Sequence, residues 1–317
     1  MDEKEKKNHP PEGMREEKQS GHLKPAAGAG NREEMKVLRI GDRAYPELLR
    51  HIPDPPEILY AMGDTRLLRK KCVAVVGARK ASSYGKWVSY NIGRRLAEYD
   101  IVTVSGMAFG CDSEAHRGAL EAGGATIAVM GCGADICYPS SNAALWKKIL
   151  RRGLILSEYP PGTKPRPYTF PQRNRIISGI SEAVAVAEAG LSSGSLITAA
   201  CAAEQGKTLF AVPGNISASN SIGCNKLIQD GAVPVAFIDD IITGVGLSLS
   251  PERKDESVRL GKDEREIYDI LKNNGEITSD FIAERLNKSV PDVNAIVSVM
   301  EIKGFLSTSA GKIFIAK

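Results

Sequence analysis

The sequence predicts an α/β protein, a doubly wound parallel sheet followed by a small C-terminal winged-helix domain. Three observations point there. From Lys71 onward, six short apolar runs rich in β-branched residues (CVAVVGAR, IVTVSG, ATIAVM, LILSEY, AVAVAEA and TLFAVPG) each end at Gly, Pro or a polar cluster. Their apolarity is continuous rather than alternating, as a strand buried on both faces requires. Helix-length segments lie between them, and such alternation builds a parallel sheet with helices on both faces. Beyond residue 260 the pattern changes to three short amphipathic helices and a hairpin.

Taken in order, residues 1–34 mix charges of both signs with Pro, Gly and Ala, contain no aromatic residue and show no periodicity, which predicts a disordered tail. Residues 35–68 form an extended lead-in. Its Pro46, Pro53, Pro55 and Pro56 keep much of it out of regular helix, and Leu48, Leu49, Ile58 and Leu59 suit it to packing across the next domain. Residues 69–246 hold the six strands. Helices are expected over YGKWVSYNIGRRLAEY, DSEAHRGALEAG, NAALWKKILRRG and SLITAACAAEQG, each with apolar residues three and four apart and several stopping at Gly. The stretch PPGTKPRPYTFPQRNRIISG reads as a Pro-rich loop. Residues 247–260 form a polar linker, and residues 261–317 hold the winged-helix pattern, its hairpin turning on Ala310-Gly311.

With 317 residues, 42% hydrophobic and 25% charged, the chain is neither collagen-like, nor a disulfide scaffold, nor wholly disordered. No apolar run approaches the ~20 residues that span a bilayer. The opening MDEKEKKNHPPEG lacks the apolar stretch of a secretory signal, so a cytoplasmic protein without membrane association is expected. Cys72, Cys111, Cys132, Cys137, Cys201 and Cys224 form no CxxC pair, which argues for buried reduced thiols rather than a zinc or dithiol site. The net charge of +4 is unevenly spread. Residues 69–175 carry 17 Lys/Arg against 7 Asp/Glu, whereas residues 176–246 carry 2 against 6. That surplus suits an anionic partner, and equally a set of solvated basic faces.

Ligands of open α/β sheets bind outside the carboxyl ends of the strands, so the residues after each run carry the chemistry. The first strand leads to Gly77-Ala78-Arg79 and then Ser82, Ser83, Tyr84 and Gly85. This is not GxGxxG, and the turn delivers an arginine close to a helix start. The second ends in Ser105-Gly106-Met107-Ala108-Phe109-Gly110-Cys111-Asp112, with Asp112 placed to cap the next helix. After the fourth, Lys164, Arg166, Arg173 and Arg175 interleave with Tyr159, Tyr168 and Phe170. Cations among aromatics suit single-stranded nucleic acid, guanidinium groups taking phosphates and rings stacking on bases. The same residues could serve structure instead, with Phe170 anchored in the core and Arg173 or Arg175 paired with Glu158 or Glu188. After the fifth strand, Ser193, Gly194, Ser195 and Thr198 sit where a Ser/Gly turn opens into a helix. Free amides, the helix dipole and small hydroxyls there make an anion cradle. It lacks the GK[ST] of a P-loop, which speaks against nucleoside triphosphate hydrolysis. Arg79 and this turn fall at the same edge of the expected sheet.

The ordered blocks VAVVGARKASSYG, VSGMAFGCDSEAHRGAL, GADICYPSSN, FPQRNRIISG, VAEAGLSSGSLITAA, FAVPGNI and GCNKLIQDGA together resemble the DNA-processing protein A (DprA/Smf) family. The resemblance runs from about Gly63 to Val235, and the C-terminal segment is similar to that family's winged-helix tail. It implies an extended Rossmann fold that binds and protects single-stranded DNA without sequence preference. It also implies a homodimer that loads the RecA recombinase during natural transformation, with no cofactor and no catalytic residue. The strand-binding pocket it implies uses Arg79, Lys164, Arg166, Phe170, Arg173, Asn174, Arg175, Ser193, Gly194, Ser195 and Thr198. The dimer contact it implies is the late helix NKLIQDG, with Asn225, Leu227 and Ile228. Two departures stand out: Gly110-Cys111-Asp112 where the family often has Gly-Ile-Asp, and a charged tail where many members carry a helical domain.

Two rivals are weaker. Phosphoribohydrolases of the same fold type use a PGGxGTxxE turn, with a Glu for acid–base work. Here the turn is LSSGSLITAACAAE, in which Glu204 falls too late. His116, alone on a helix, suggests no catalytic pair. A duplex-DNA regulator would read bases with its third C-terminal helix, which offers Asp292, Asn294 and Glu301 but no Arg. The winged-helix domain is therefore expected to contact protein or stabilise a dimer.

Overall fold

The six apolar runs become parallel strands in the computed structural model, which describes residues 34–248, 260–302, 305–309 and 311–315. The tail read at 1–34 and the linker read at 247–260 fall almost wholly outside the described residues. The chain divides into two units, Met1–Ser248 and Leu249–Lys317.

The first unit begins with β1 (Lys36–Arg39), α1 (Glu47–Arg50) and β2 (Ile58–Gly63), followed by β3 (Cys72–Gly77), α2 (Ser83–Glu98), β4 (Val102–Ser105), α3 (Cys111–Glu121) and β5 (Thr126–Val129). It continues with α4 (Ala143–Arg152), β6 (Leu154–Ser157), α5 (Thr169–Gly179), β7 (Ala183–Glu188), α6 (Ser195–Glu204), β8 (Thr208–Ala211), α7 (Ile222–Gln229), β9 (Val233–Pro234) and α8 (Asp239–Gly244). The nine strands form one sheet in the order β1-β2-β6-β5-β4-β3-β7-β8-β9. From β3 to β9 neighbours pair in parallel, and so do β4, β5 and β6 on the other side.

Successive residues of β3 face opposite layers, which is why the runs must be apolar throughout. Val73 and Val75 pack with Val88, Ile92 and Leu96 of α2 and Ala115 of α3. Ala74 and Val76 pack with Ile176 and Ile177 of α5 and Ala199 and Ala202 of α6. Close approach of α2 and α3 depends on glycine. A Cβ on Gly93 would overlap the carbonyl of Ala115, and one on Gly118 the carbonyl of Tyr90.

Two expectations need correction. The segment read as a Pro-rich loop is a loop only as far as Tyr168. Thr169–Gly179 is helix α5, because Pro171 sits in the first turn, where its missing N–H would have had no partner. Arg173, Asn174 and Arg175 therefore stand on a helix. The lead-in does more than lie across the sheet. Its strands β1 and β2 extend the sheet antiparallel beside β6, with Leu49 and Leu59 fully buried while Leu48 stays exposed.

The second unit holds α9 (Lys262–Asn274), α10 (Ser279–Leu286), α11 (Val290–Ile302) and the antiparallel pair β10 (Leu306–Ser309) and β11 (Lys312–Ile315). The order of helices and hairpin is the one expected. Ala310 of the predicted turn lies outside the described residues. Ile267, Leu271, Ile282, Val293, Val297, Met300, Leu306 and Ile313 make its core. A bridge between Ile277 and Ile313 ties the hairpin to the segment before α10.

Candidate nucleic-acid interface

The chain leaves β3 toward β4, β5 and β6 on one side and returns through β7, β8 and β9 on the other. The order thus reverses between β3 and β7, and a crevice opens outside their carboxyl ends. A cleft of about 500 Å3 lies there. Of the eleven expected strand-binding residues, the cleft brings together Arg79, Phe170, Arg173, Asn174, Ser193, Gly194, Ser195 and Thr198. Lys164, Arg166 and Arg175 do not line it.

One wall is the loop after β3. Ala78 donates its amide to the Glu188 carbonyl at 2.8 Å, across a register shift at Val76/Gly77. The buried Glu188 carboxylate accepts the Ser82 amide at 2.8 Å and the Ser82 hydroxyl. Gly85 leaves room for that carboxylate, since a Cβ there would collide with it. The loop is thus pinned at both ends while the Arg79 side chain stays exposed. Its guanidinium lies 5.5 Å from the centre of the Phe170 ring. Phe170 packs on Tyr138 at 5.3 Å and against Gly131, where a Cβ would stand 2.8 Å from the ring.

The opposite wall is the start of α6. Gly194 is its N-cap, and no side chain caps the helix. The Leu196 and Ile197 amides turn back to the Ser193 and Gly194 carbonyls at 3.0 and 3.2 Å, which leaves the amides of Gly194 and Ser195 to face a ligand. The Ser193 and Ser195 hydroxyls lie 2.8 Å apart. The Asn174 amide group reaches across from α5 to the Gly194 carbonyl at 3.3 Å.

The floor is a buried polar network. Arg173, 4% exposed, donates to the carbonyls of Gly106 at 3.0 Å and of Val129. Burial pulls its pKa down to about 10, opposed chiefly by the nearby Asp112 carboxylate. Asp112 is itself raised above its ordinary value by burial, and accepts the amides of Gly106 at 3.1 Å and Ala108 at 3.3 Å. It is not the helix cap expected. Gly110, at φ +73°, occupies the N-cap of α3, and Asp112 folds back on the loop before it.

Outside the cleft, Arg175 takes the internal alternative. It makes a two-pronged pair with Glu158, at 2.8 and 3.0 Å, and a second with Asp54 at 2.9 Å. It anchors α5 to the end of β6 and to the lead-in. Lys164 and Arg166 are exposed on the preceding loop, Arg166 bonding the Tyr168 hydroxyl at 3.0 Å. Sequence reasoning missed Lys80 and Asn220, which also line the cleft. Lys80 is legible as the neighbour of Arg79. Asn220 lies on a remote loop, and its bond to the Lys80 carbonyl at 3.3 Å has no sequence signal.

Of the expected dimer residues, Asn225 is held within the chain by two bonds to the backbone of Gly214, at 3.1 and 3.0 Å. Leu227 and Ile228 are half-buried against the chain's own core. All six thiols are free. Among the described residues no group of His, Cys, Asp and Glu is placed to hold a metal ion, and no helix is long and apolar enough to cross a membrane.

A family model described as DNA recombination-mediator protein A matches residues 36–246. The DNA processing protein DprA of Streptococcus pneumoniae is 45% identical over 210 residues, covering 66% of this chain and 74% of that protein. Protein Smf of Escherichia coli is 37% identical over 276 residues, covering 84% of this chain and 74% of that one. Among solved structures, DprA from S. pneumoniae aligns with a TM-score of 0.65 at 42% identity, covering 69% of this chain and 76% of that chain. DprA from Helicobacter pylori, described in connection with its single-stranded DNA binding mode, aligns with a TM-score of 0.60 at 34% identity, covering 67% and 95%. With the match spanning the whole strand-and-helix unit that builds the cleft, the chain belongs to the DNA recombination-mediator protein A (DprA/Smf) family.

Proposed function

We propose that this protein binds single-stranded DNA without sequence preference in the cleft between β3 and β7. The observation that carries the reading is the convergence there of an exposed cation, Arg79, with the uncapped start of α6 and the Phe170 ring. The Ser193–Ser195 turn grips a phosphate with backbone amides and hydroxyls. Arg79 neutralises a phosphate, and bases stack beside Phe170. The H. pylori relative's described binding mode supports the choice of ligand.

Binding rather than catalysis fits the carboxylates. Asp112, the acidic residue in the lining, is turned to two loop amides and faces Arg173. Glu204, the one candidate base for a phosphoribohydrolase, is exposed at the far end of α6. Family membership supports a role in protecting incoming DNA and in loading the RecA recombinase in the cytoplasm. It also supports a homodimer through α7, to which exposed Ile222 and Val233 add apolar surface beside Leu227 and Ile228. Two clefts in one dimer would raise avidity well above that of one.

The test is fluorescence anisotropy with labelled poly-dT over a salt series, with duplex as competitor. The wild type should bind tightly and resist duplex. The Arg79→Ala variant should bind at least about tenfold more weakly, with a salt slope lower by about 0.7. Equal affinity for duplex, or an indifferent Arg79→Ala, would refute the proposal and call for a screen of nucleoside monophosphates.

A further inference from the structure

The basic lining does not stop at the cleft. Arg79 and Lys80 also line a second, open groove of about 570 Å3 that runs over the first turns of α2 and α3. Lys86 and Arg117 stand in it, and all four cations are exposed. The one carboxylate in its lining, Glu114, is already bonded to Arg117, so the groove keeps a clear surplus of positive charge. Among these cations stands Phe109, half exposed. The same ring closes one side of a small pocket of about 80 Å3 that it shares with Tyr138 and Phe170. Phe109 thus sits at the seam between cleft and groove.

A row of cations alone could be a solvated face. An apolar ring held in the open among them, continuous with an anion-binding cleft, has the makeup of a single-strand track. Charges follow the backbone there, and an aromatic ring offers a stacking platform. We infer that the strand leaving the cleft crosses this groove, with phosphates against Lys86 and Arg117 and a base stacked on Phe109. The inference rests on the single-strand reading of the cleft, and it adds a direction: the strand passes Arg79 and runs over α2 and α3.

The test uses the full chain carrying Lys86→Ala with Arg117→Ala, and separately Phe109→Ala. Lys86, Arg117 and Phe109 lie outside the cleft lining, and all three are exposed, so thermal melting serves as the control for folding. Each protein is titrated with a poly-dT of about four nucleotides, enough for the cleft, and one of about sixteen. On the long oligonucleotide the double variant should bind at least about tenfold more weakly, its salt slope lower by about 1.4 for two lost phosphate contacts. Phe109→Ala should weaken the long oligonucleotide by about fivefold or more, with the slope unchanged. Binding of the short one should stay as in the wild type. Unchanged long-oligonucleotide binding, or equal weakening of short and long, overturns the groove while leaving the cleft in place. A wild type that binds neither oligonucleotide overturns the cleft reading and the groove with it.

Discussion

Replacing Arg173 with methionine separates a structural strut from a ligand contact. The guanidinium is buried under the cleft and donates to the Gly106 and Val129 carbonyls, with the buried Asp112 carboxylate facing it. Hydrogen bonds from a charged donor contribute about 1.5–3 kcal/mol each, so two amount to about 3–6 kcal/mol. Removing one partner of a buried charge pair costs about 3–5 kcal/mol. The two figures describe overlapping interactions and do not add. The expected loss is therefore about 3–5 kcal/mol, a large share of the ~5–15 kcal/mol by which domains are stable. Urea titration reads it cleanly, because Trp87 and Trp146, the chain's two tryptophans, both lie in the first unit. The midpoint should fall at unchanged slope. The loss should also deepen with rising pH. Burial already raises the Asp112 carboxyl, and removing the cation raises it further. A folded-state pKa above the unfolded one gives stability that is complete below the unfolded value and is lost as pH rises through the folded value. A loss below about 1 kcal/mol, together with abolished single-strand binding, would refute this reasoning and make Arg173 a direct contact.

Three further outcomes are expected. His116 is buried, and its Nδ1 donates to the Thr126 hydroxyl at 2.6 Å, since that hydroxyl gives its own proton to the Thr103 carbonyl. Burial, then the Arg173 charge, lowers its pKa to about 3. Its contribution is therefore complete above about 6.5 and drains away as pH falls toward 3, by at most about 1.36 kcal/mol per pH unit. The stability gap between wild type and His116→Gln should narrow on acidification, and a constant gap would contradict this. Gly118→Ala would drive a methyl group onto the Tyr90 carbonyl and should cost about 1–3 kcal/mol or more; an unshifted thermal melt would show that α2 and α3 separate freely. Truncation after Ser248 should leave single-strand affinity within about tenfold, because α11 presents Asp292 and Glu301 to any phosphate. A larger loss would assign strand contact to the second unit.

Much of this was legible in the sequence because it depends on local pattern. A strand buried on both faces must be largely apolar, and the six runs from Cys72 to Ala211 are. Helix α5 was not legible. Pro165, Pro167 and Pro171 look alike in sequence, yet Pro171 alone falls in a helix, at a position that loses no bond. The edge strands β1 and β2 were hidden for a different reason. The pairing of β2 with β6, on which β1 then builds, joins segments roughly a hundred residues apart, and no local spacing encodes such a partner. Within the site, the adjacency of Arg79 to the Ser193–Ser195 turn follows from strand order and was anticipated. The inward turn of Arg173 and Arg175 was open as an alternative but could not be settled, because it depends on Glu158, Asp54 and the Gly106 and Val129 carbonyls converging in space.

That inward turn bears on specificity. Reading a base edge takes a free guanidinium or a free carboxamide placed to make paired bonds. In the cleft those groups are largely committed. Arg173 is spent on carbonyls, the Asn174 amide group on Gly194 and that of Asn220 on Lys80. What faces the ligand is a helix start, small hydroxyls, the Arg79 charge and an aromatic ring. Amides and cations address the phosphate that every nucleotide carries, and a ring stacks on any base. Indifference to sequence is thus the expected consequence of a rigid, internally satisfied floor. A homopolymer series in poly-dT, poly-dA and poly-dC at fixed salt should give affinities ordered by stacking and strand flexibility, within about tenfold of one another. A preference of a hundredfold or more for one base would mean that Asn174 or Asn220 lets go of the backbone to read it.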